Sequence, residues 1–170
     1  MTKLNLGCGT DVRDGWVNVD TYPVSPVVIK ADVEIGLPFE DGSFDSILAS
    51  HVLEHVVRFD RAWNDIHRVL KTFGTIEVHV PYGYNTDPYH IRYFDLNTVK
   101  RLTAYNDHTA ICGNERRMCF ILVGKPSIRV VLPFAWHIQR YLEFEIPNTI
   151  QGTRFFPGKK DLHFTLQKVL

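Results

Sequence analysis

The apolar positions of the first fifty residues fall into short runs separated by glycine, proline and acidic residues. Leu4 to Leu6 precede "GCG", Trp16 to Val19 precede Asp20, Val27 to Ile29 precede "KAD", and Ser46 to Ala49 follow "EDGSFD". Runs this short, aliphatic and bounded by turn residues, predict buried parallel strands. The rhythm then changes: Val52, Leu53, Val56, Phe59, Trp63, Ile66 and Leu70 recur at three- and four-residue steps. This spacing predicts a helix over 52–71, broken near residue 58, with Asp60 as an internal cap and Gly74 as its stop. "TIEVHVP" alternates with period two up to Pro81, so it predicts a strand, and "YGYNTDPYHIRYFD" behind it has the polar, aromatic composition of a functional loop. "LNTVKRLTAY" is helical again, capped by Asp95 or Asn97, and "MCFILVG" and "HFTLQKV" read as strands. Strands alternating with at least two helices predict a three-layer α/β domain around a mainly parallel sheet.

The 170 residues, 45% of them hydrophobic, suit one domain over 1–170 with a continuous core. Nineteen basic and nineteen acidic side chains cancel, so the broad positive field that attracts nucleic acid is absent and a small-molecule partner is expected. Cys8, Cys112 and Cys119 form no disulfide framework and read as core thiols in a reducing compartment. No basic and apolar leader precedes the first strand, so the cytoplasm is the expected location. The run "IRVVLPFAWHI" at 128–138 is shorter than the roughly 20 residues a membrane span takes, and Arg129, Pro133 and His137 interrupt it.

The turn from Leu6 through Gly7 and Cys8 to Gly9 directly follows the first strand, and its glycines let a ligand approach the backbone. Asp20 ends the second strand, where a carboxylate can accept hydrogen bonds from the two hydroxyls of a ribose. Asp32 follows the third, placed for an exocyclic amine such as that of adenine, with backbone around Val33 at the ring edge. Each feature has a plainer reading, as a turn, a cap or a solvated strand end. Their order at successive strand ends favours a nucleoside site. A dinucleotide is the rival, but its fingerprint needs a small residue at Val12, and residues 10–15 leave no room for a helix to hold a pyrophosphate. S-adenosylmethionine, with adenine, ribose and a sulfonium but no phosphate, tolerates the missing helix.

With those residues in place, the chain resembles the class I S-adenosylmethionine-dependent methyltransferases, in the small type 11-like branch. The resemblance rests on "LNLGCG", "GWVNVD", "ADVE", "LPFEDGSFDSILASHVLEHV" and "RVLKTFGTIEVHVP", strongly over residues 3–82 and more loosely to "DPYHIRYFDLNTVKRL". It implies a Rossmann-like, seven-strand, mostly parallel sheet of order 3-2-1-4-5-7-6 with an antiparallel last strand, and S-adenosylmethionine as cofactor. By position it implies that Leu6, Gly7, Cys8 and Gly9 pass the methionine part, Asp20 binds ribose, Asp32 and Val33 bind adenine, and Ser50 and His51 lie beside the sulfonium. Asp45 reads as structural. The helices usual before and after the first strand have no room here, so helices on one face of the sheet are reduced. Segment 126–147 or a second subunit is expected to cover that face.

"SHVLEHV" also contains His51, Glu54 and His55 in an H-x-x-E-H pattern, which in a helix can hold zinc for a metalloprotease. Three fixed residues in five are a weak signal, and His51 falls at a strand end, so no metal is expected. Glu54 and His55 then cap or orient the loop, and His67 reads as a surface residue. For methyl transfer to O or N, a base that takes the acceptor proton is His51, Asp87 or His90, while Arg92 can hold an anionic group. Tyr82, Tyr84, Tyr89 and Tyr93 can line an acceptor pocket or face the sulfonium. The plain alternative is a loop held by its own hydrogen bonds. A non-catalytic nucleoside-binding or assembly module is the alternative for the whole chain.

Overall fold

The computed structural model describes residues 1–83, 87–103, 120–131, 142–144 and 159–169, with the side chains of 128–131, 142–144 and 159–160 outside that description. Among these residues the strands are β1 (Lys3–Leu6), β2 (Val17–Asp20), β3 (Val28–Lys30), β4 (Phe44–Ser50), β5 (Leu70–Pro81), β6 (Phe120–Val131), β7 (Leu142–Phe144) and β8 (Lys159–Lys168). They form one sheet of order β3-β2-β1-β4-β5-β8-β6-β7. β1 pairs in parallel with β2 and β4, β2 with β3, and β4 with β5, whereas β8 runs antiparallel between β5 and β6. This is the expected 3-2-1-4-5-7-6 sheet, its last strand here being β8. One short strand is added, β7, antiparallel on the outer edge of β6.

The helix expected over 52–71 with a break near residue 58 is two elements, divided at 56–58. Leu53–His55 is a 3-10 turn that ends where Val56 turns extended (φ −74°, ψ 120°), and α1 begins at Phe59 and ends at Val69. Gly74 is not its stop: Leu70 leads directly into β5, whose pairing with β4 shifts register between Phe44 and Ser46. Asp60 lies in the first turn, but the free amides at the helix entrance go to Glu34, whose carboxylate accepts Val57 N at 2.9 Å and Arg58 N at 2.8 Å. An acidic group there satisfies unpaired donors and suits the positive end of the helix dipole. An isolated helix of 11 residues is marginal in water. Burial of Phe59, Ala62, Trp63, Ile66 and Val69 holds α1 in place, at about 1.5–3 kcal/mol for each large side chain. α2 (Leu96–Thr103) is capped by Asp95, whose Oδ1 accepts Thr98 N at 2.7 Å while Thr98 Oγ1 accepts Asp95 N, a reciprocal box.

The two faces of the sheet differ. Leu4, Leu6, Val19, Ile47, Ala49, Ile76, Val78, Val80, Leu162, Phe164 and Leu166 share one face and pack with α1, α2 and Phe120 in a single core. The alternate positions make the other face: Asn5, Asn18, Leu48, Glu77, His79, His163, Thr165 and Gln167. No helix lies over it among the described residues. Segment 126–147 does not cover it where described, because 126–131 and 142–144 are strands of the sheet itself; residues 132–141 and 145–147 lie outside the described residues. Over β1, β2, β5 and β8 this face is largely polar, with buried Leu48 on β4 and the partly exposed Ile121 and Val123 of β6 as its apolar members. His79 donates to Glu77 Oε1 at 2.7 Å and stacks on His163 with ring centroids 3.8 Å apart. Over β1 and β2 the connection 7–16 folds across it. Buried Asn5 donates to Asp11 O and to Asn18 Oδ1; buried Asn18 accepts Arg13 N and donates to Arg13 O and Trp16 O. Lys3 and Arg13 lie over the Trp16 ring at 5.0 and 5.3 Å.

His67 corrects the surface reading. It is half-buried on α1 with its ring edge-on to Phe120 at 5.3 Å, and burial, with Lys168 adding to it, lowers its pKa to about 4.

Two outcomes are expected. Asn18→Ala strands the loop groups that Asn18 satisfies, so urea unfolding should show a loss of about 2–4 kcal/mol with the fold retained. His67 is neutral in the folded chain at pH values where the unfolded chain binds a proton. Stability therefore falls as pH drops through the unfolded value near 6.5 and levels off near the folded value of about 4. Discounted for the partial exposure of the residue, that loss is about 1–2 kcal/mol, and His67→Leu should remove it from the acid limb of the stability curve.

Candidate active site

Strand ends β1 to β4 bring the expected cofactor residues together at the point where the sheet order reverses, with β2 and β3 to one side of β1 and β4 to the other. Open sheets bind ligands at this place. Gly7 (φ 63°) and Gly9 (φ 49°) both use backbone conformations that disfavour side chains. A β-carbon on Gly7 would overlap Val52 Cγ2, so the turn after β1 rests directly on the connection after β4. At Gly9 the same atom would meet nothing within 4 Å, leaving a surface of bare main chain. Leu6 and Cys8 point inward and are buried. Burial first, and Asp20 second, raises the Cys8 thiol pKa, so this sulfur stays protonated and is core.

Asp20 ties the first two strand ends together: Oδ2 accepts Gly9 N and Oδ1 accepts Tyr22 N, both at 2.8 Å. Each carboxylate oxygen has a second lone pair. Asp32 Oδ1 accepts Glu34 N at 2.8 Å and its carbonyl accepts Ile35 N and Gly36 N, shaping the turn that buries Val33. Glu34, not foreseen from the sequence, then reaches α1. Asp45 is structural: it accepts Thr2 N and Lys71 Nζ, and those two hydrogen bonds lower its pKa.

At the end of β4, Ser50 is followed by His51 in a left-handed conformation (φ 55°), its amide held by His79 O at 2.9 Å. Such backbone strain in a non-glycine residue concentrates at functional sites. The half-exposed His51 side chain donates through Nδ1 to Glu54 Oε1 at 3.2 Å. Glu54 is 1% exposed, and its carbonyl accepts Ile91 N and Arg92 N, so it joins the β4 end to the loop before α2. His55 Nδ1 donates to Tyr89 O at 3.1 Å, as expected for a residue orienting that loop. His90 packs edge-on to His55 with centroids 4.7 Å apart, and its Nε2 lies 3.7 Å from Asp87 Oδ2.

The structure thus gathers His51, Asp87 and His90 around Glu54 and the 87–94 loop, but it uses Arg92 differently. That guanidinium donates to Val56 O at 2.9 Å and Val57 O at 2.8 Å and lies over Phe59, anchoring the loop where an anion-holding group was expected. Tyr82 packs on the core, Tyr89 and Tyr93 are exposed, and Tyr84 lies outside the described residues. His51 and His55 do not share a helical face, so the metalloprotease geometry is not formed. No helix among the described residues is long and apolar enough to cross a membrane.

Residues 8–78 match the family described as "Methyltransferase domain". No curated protein matches the chain. The fold is similar to a Burkholderia thailandensis 1,6-didemethyltoxoflavin-N1-methyltransferase with bound 1,6-didemethyltoxoflavin and S-adenosylhomocysteine (TM-score 0.63, 17% identity, 99% of this chain, 71% of that one). It is also similar to a SAM-dependent methyltransferase from Thermotoga maritima (0.61, 16%, 98% and 82%) and to the 4+2 cyclase SpnF (0.59, 16%, 99% and 74%). Residues 8–78 thus match a methyltransferase domain, and the chain shares its fold with S-adenosylmethionine-dependent methyltransferases.

Proposed function

We propose that the chain binds S-adenosylmethionine at the β1–β4 strand ends and transfers its methyl group to an oxygen or nitrogen of a small-molecule acceptor. One observation carries this reading: Asp20 holds the Gly9 amide while the space over Gly9 stays open, a cradle that fits an adenosyl group. The remaining lone pairs of Asp20 accept the ribose hydroxyls. Asp32 and the buried Val33 meet the adenine, and the backbone from Leu6 to Gly9 lets the methionine part approach. When bound, the sulfonium supplies an activated methyl carbon. The chain therefore has to align the acceptor and, where needed, remove its proton. Ser50 and His51 flank the reacting centre. His51 receives the acceptor proton, with Asp87 and His90 as the candidates from the facing loop, and Tyr82 and Tyr89 border the acceptor. The 1,6-didemethyltoxoflavin bound by the Burkholderia enzyme supports a small-molecule acceptor.

A second reading, a non-catalytic nucleoside-binding or assembly module, is favoured by the engagement of Arg92 and His55 with main chain and by the cyclase that shares the fold.

Calorimetry with S-adenosylmethionine should show one site per chain. Asp20→Ala should weaken it by about 10-fold or more, as expected for lost hydrogen bonds to a charged group, and Asp20→Asn, which still accepts Gly9 N, by less. Absence of heat in the unaltered chain would defeat the proposal. Labelled cofactor offered with a library of hydroxyl and amine acceptors separates the two readings, since binding without transfer leaves only the module. Once an acceptor is found, His51→Gln should lower kcat by about 100-fold, within the range of general-base loss, and abolish the acid limb of the pH–rate profile while cofactor affinity changes little.

A further inference from the structure

We propose that Glu54, His55 and His90 form a binding site for a zinc-type divalent ion that clamps the 87–94 loop onto the end of β4. The three residues each present one ligand atom, all within 4.8 Å of one another. Two of them carry buried atoms with no hydrogen-bond partner, Glu54 Oε2 and His90 Nδ1. A buried carboxylate oxygen and a buried imidazole nitrogen left in this way are costly unless something else engages them. A cation does so at both.

The tautomers point the same way. Because His55 Nδ1 faces the carbonyl oxygen of Tyr89, it carries the proton, and the lone pair of the neutral ring is on Nε2. His90 has Nε2 toward the carboxylate of Asp87, which puts the lone pair on the unpartnered Nδ1. An imidazole whose far N–H is directed at a carbonyl or carboxylate is the usual arrangement around a bound metal. Two histidines and one carboxylate suit zinc and leave a fourth position for water or another oxygen. Bonds of roughly 2.0–2.1 Å require ligand atoms about 3.4 Å apart, so the loop closes by about 1.5 Å at most on binding. The H-x-x-E-H pattern would have paired His51 with His55. In the fold, His90 from a distant loop takes that place and His51 binds the other oxygen of Glu54.

The proposal does not rest on methyl transfer, and its readout is metal content. The full chain is stripped with a chelator, dialysed against Zn²⁺ and analysed by elemental mass spectrometry, and Co²⁺ loading is followed by its visible ligand-field absorption. One ion per chain is expected, with Co²⁺ giving a tetrahedral spectrum. Glu54→Gln, His55→Ala and His90→Gln should each weaken binding by more than about 100-fold, and Asp87→Asn and His51→Ala, as outer partners, by about 10-fold with one ion retained. Circular dichroism of each variant separates loss of metal from loss of fold. Absence of stoichiometric uptake by the unaltered chain overturns the site, as does a folded His90→Gln variant that binds as tightly as the unaltered chain.

Discussion

The first four strands are parallel neighbours joined by connections that contain no helix, and the rest of the structure answers to that constraint. A parallel sheet normally buries both faces under its crossover helices. Here side-chain polar groups do part of that work. Asn5 and Asn18 satisfy the backbone of the first connection, Asp20 binds the first strand end to the second, and Asp32 closes the turn after the third. Each of these residues saturates loop amides or carbonyls that would otherwise need water or a helix.

The same devices build the cleft. Glu34 leaves the turn made by Asp32 and caps α1 through Val57 and Arg58; Arg92 grips the carbonyls of Val56 and Val57; and Glu54 takes the amides of Ile91 and Arg92. The strand ends and the 87–94 loop are therefore consecutive links in one hydrogen-bonded series around the start of α1. Gly7 against Val52 adds a steric stop between the β1 and β4 connections. The catalytic candidates sit on this frame and not on a freely moving loop.

Much of this was readable before any coordinates. Period-two alternation in "TIEVHVP" and "HFTLQKV" identified β5 and β8, because the alternation itself records one apolar and one polar face. The strand-end glycines and acids were legible because backbone conformation and carboxylate chemistry leave few substitutes. Tertiary effects were not. The break expected near residue 58 is present, but its cause was not legible: extended Val56 splits the helix, and Glu54 and Val56 supply carbonyls to the 87–94 loop. Glu34 looks like an ordinary surface acid until the amides its carboxylate serves, 23 and 24 positions away, come into view. The grip of Arg92 on Val56 and Val57 was hidden for the same reason, and the burial of His67 because only strand β6 brings Phe120 to it.

A sheet with an oily side and a wet side has an asymmetric tolerance for sequence drift. Replacing Glu77, Thr165 or Gln167 by another hydrophilic residue perturbs few neighbours, whereas Ile76, Val78, Phe164 and Leu166 are fixed by volume in a close-packed interior. Adjacent positions along β5 and β8 thus evolve under opposite rules, and the lineage can vary the polar side of these two strands while Asn5 and Asn18 keep the strand tips in place.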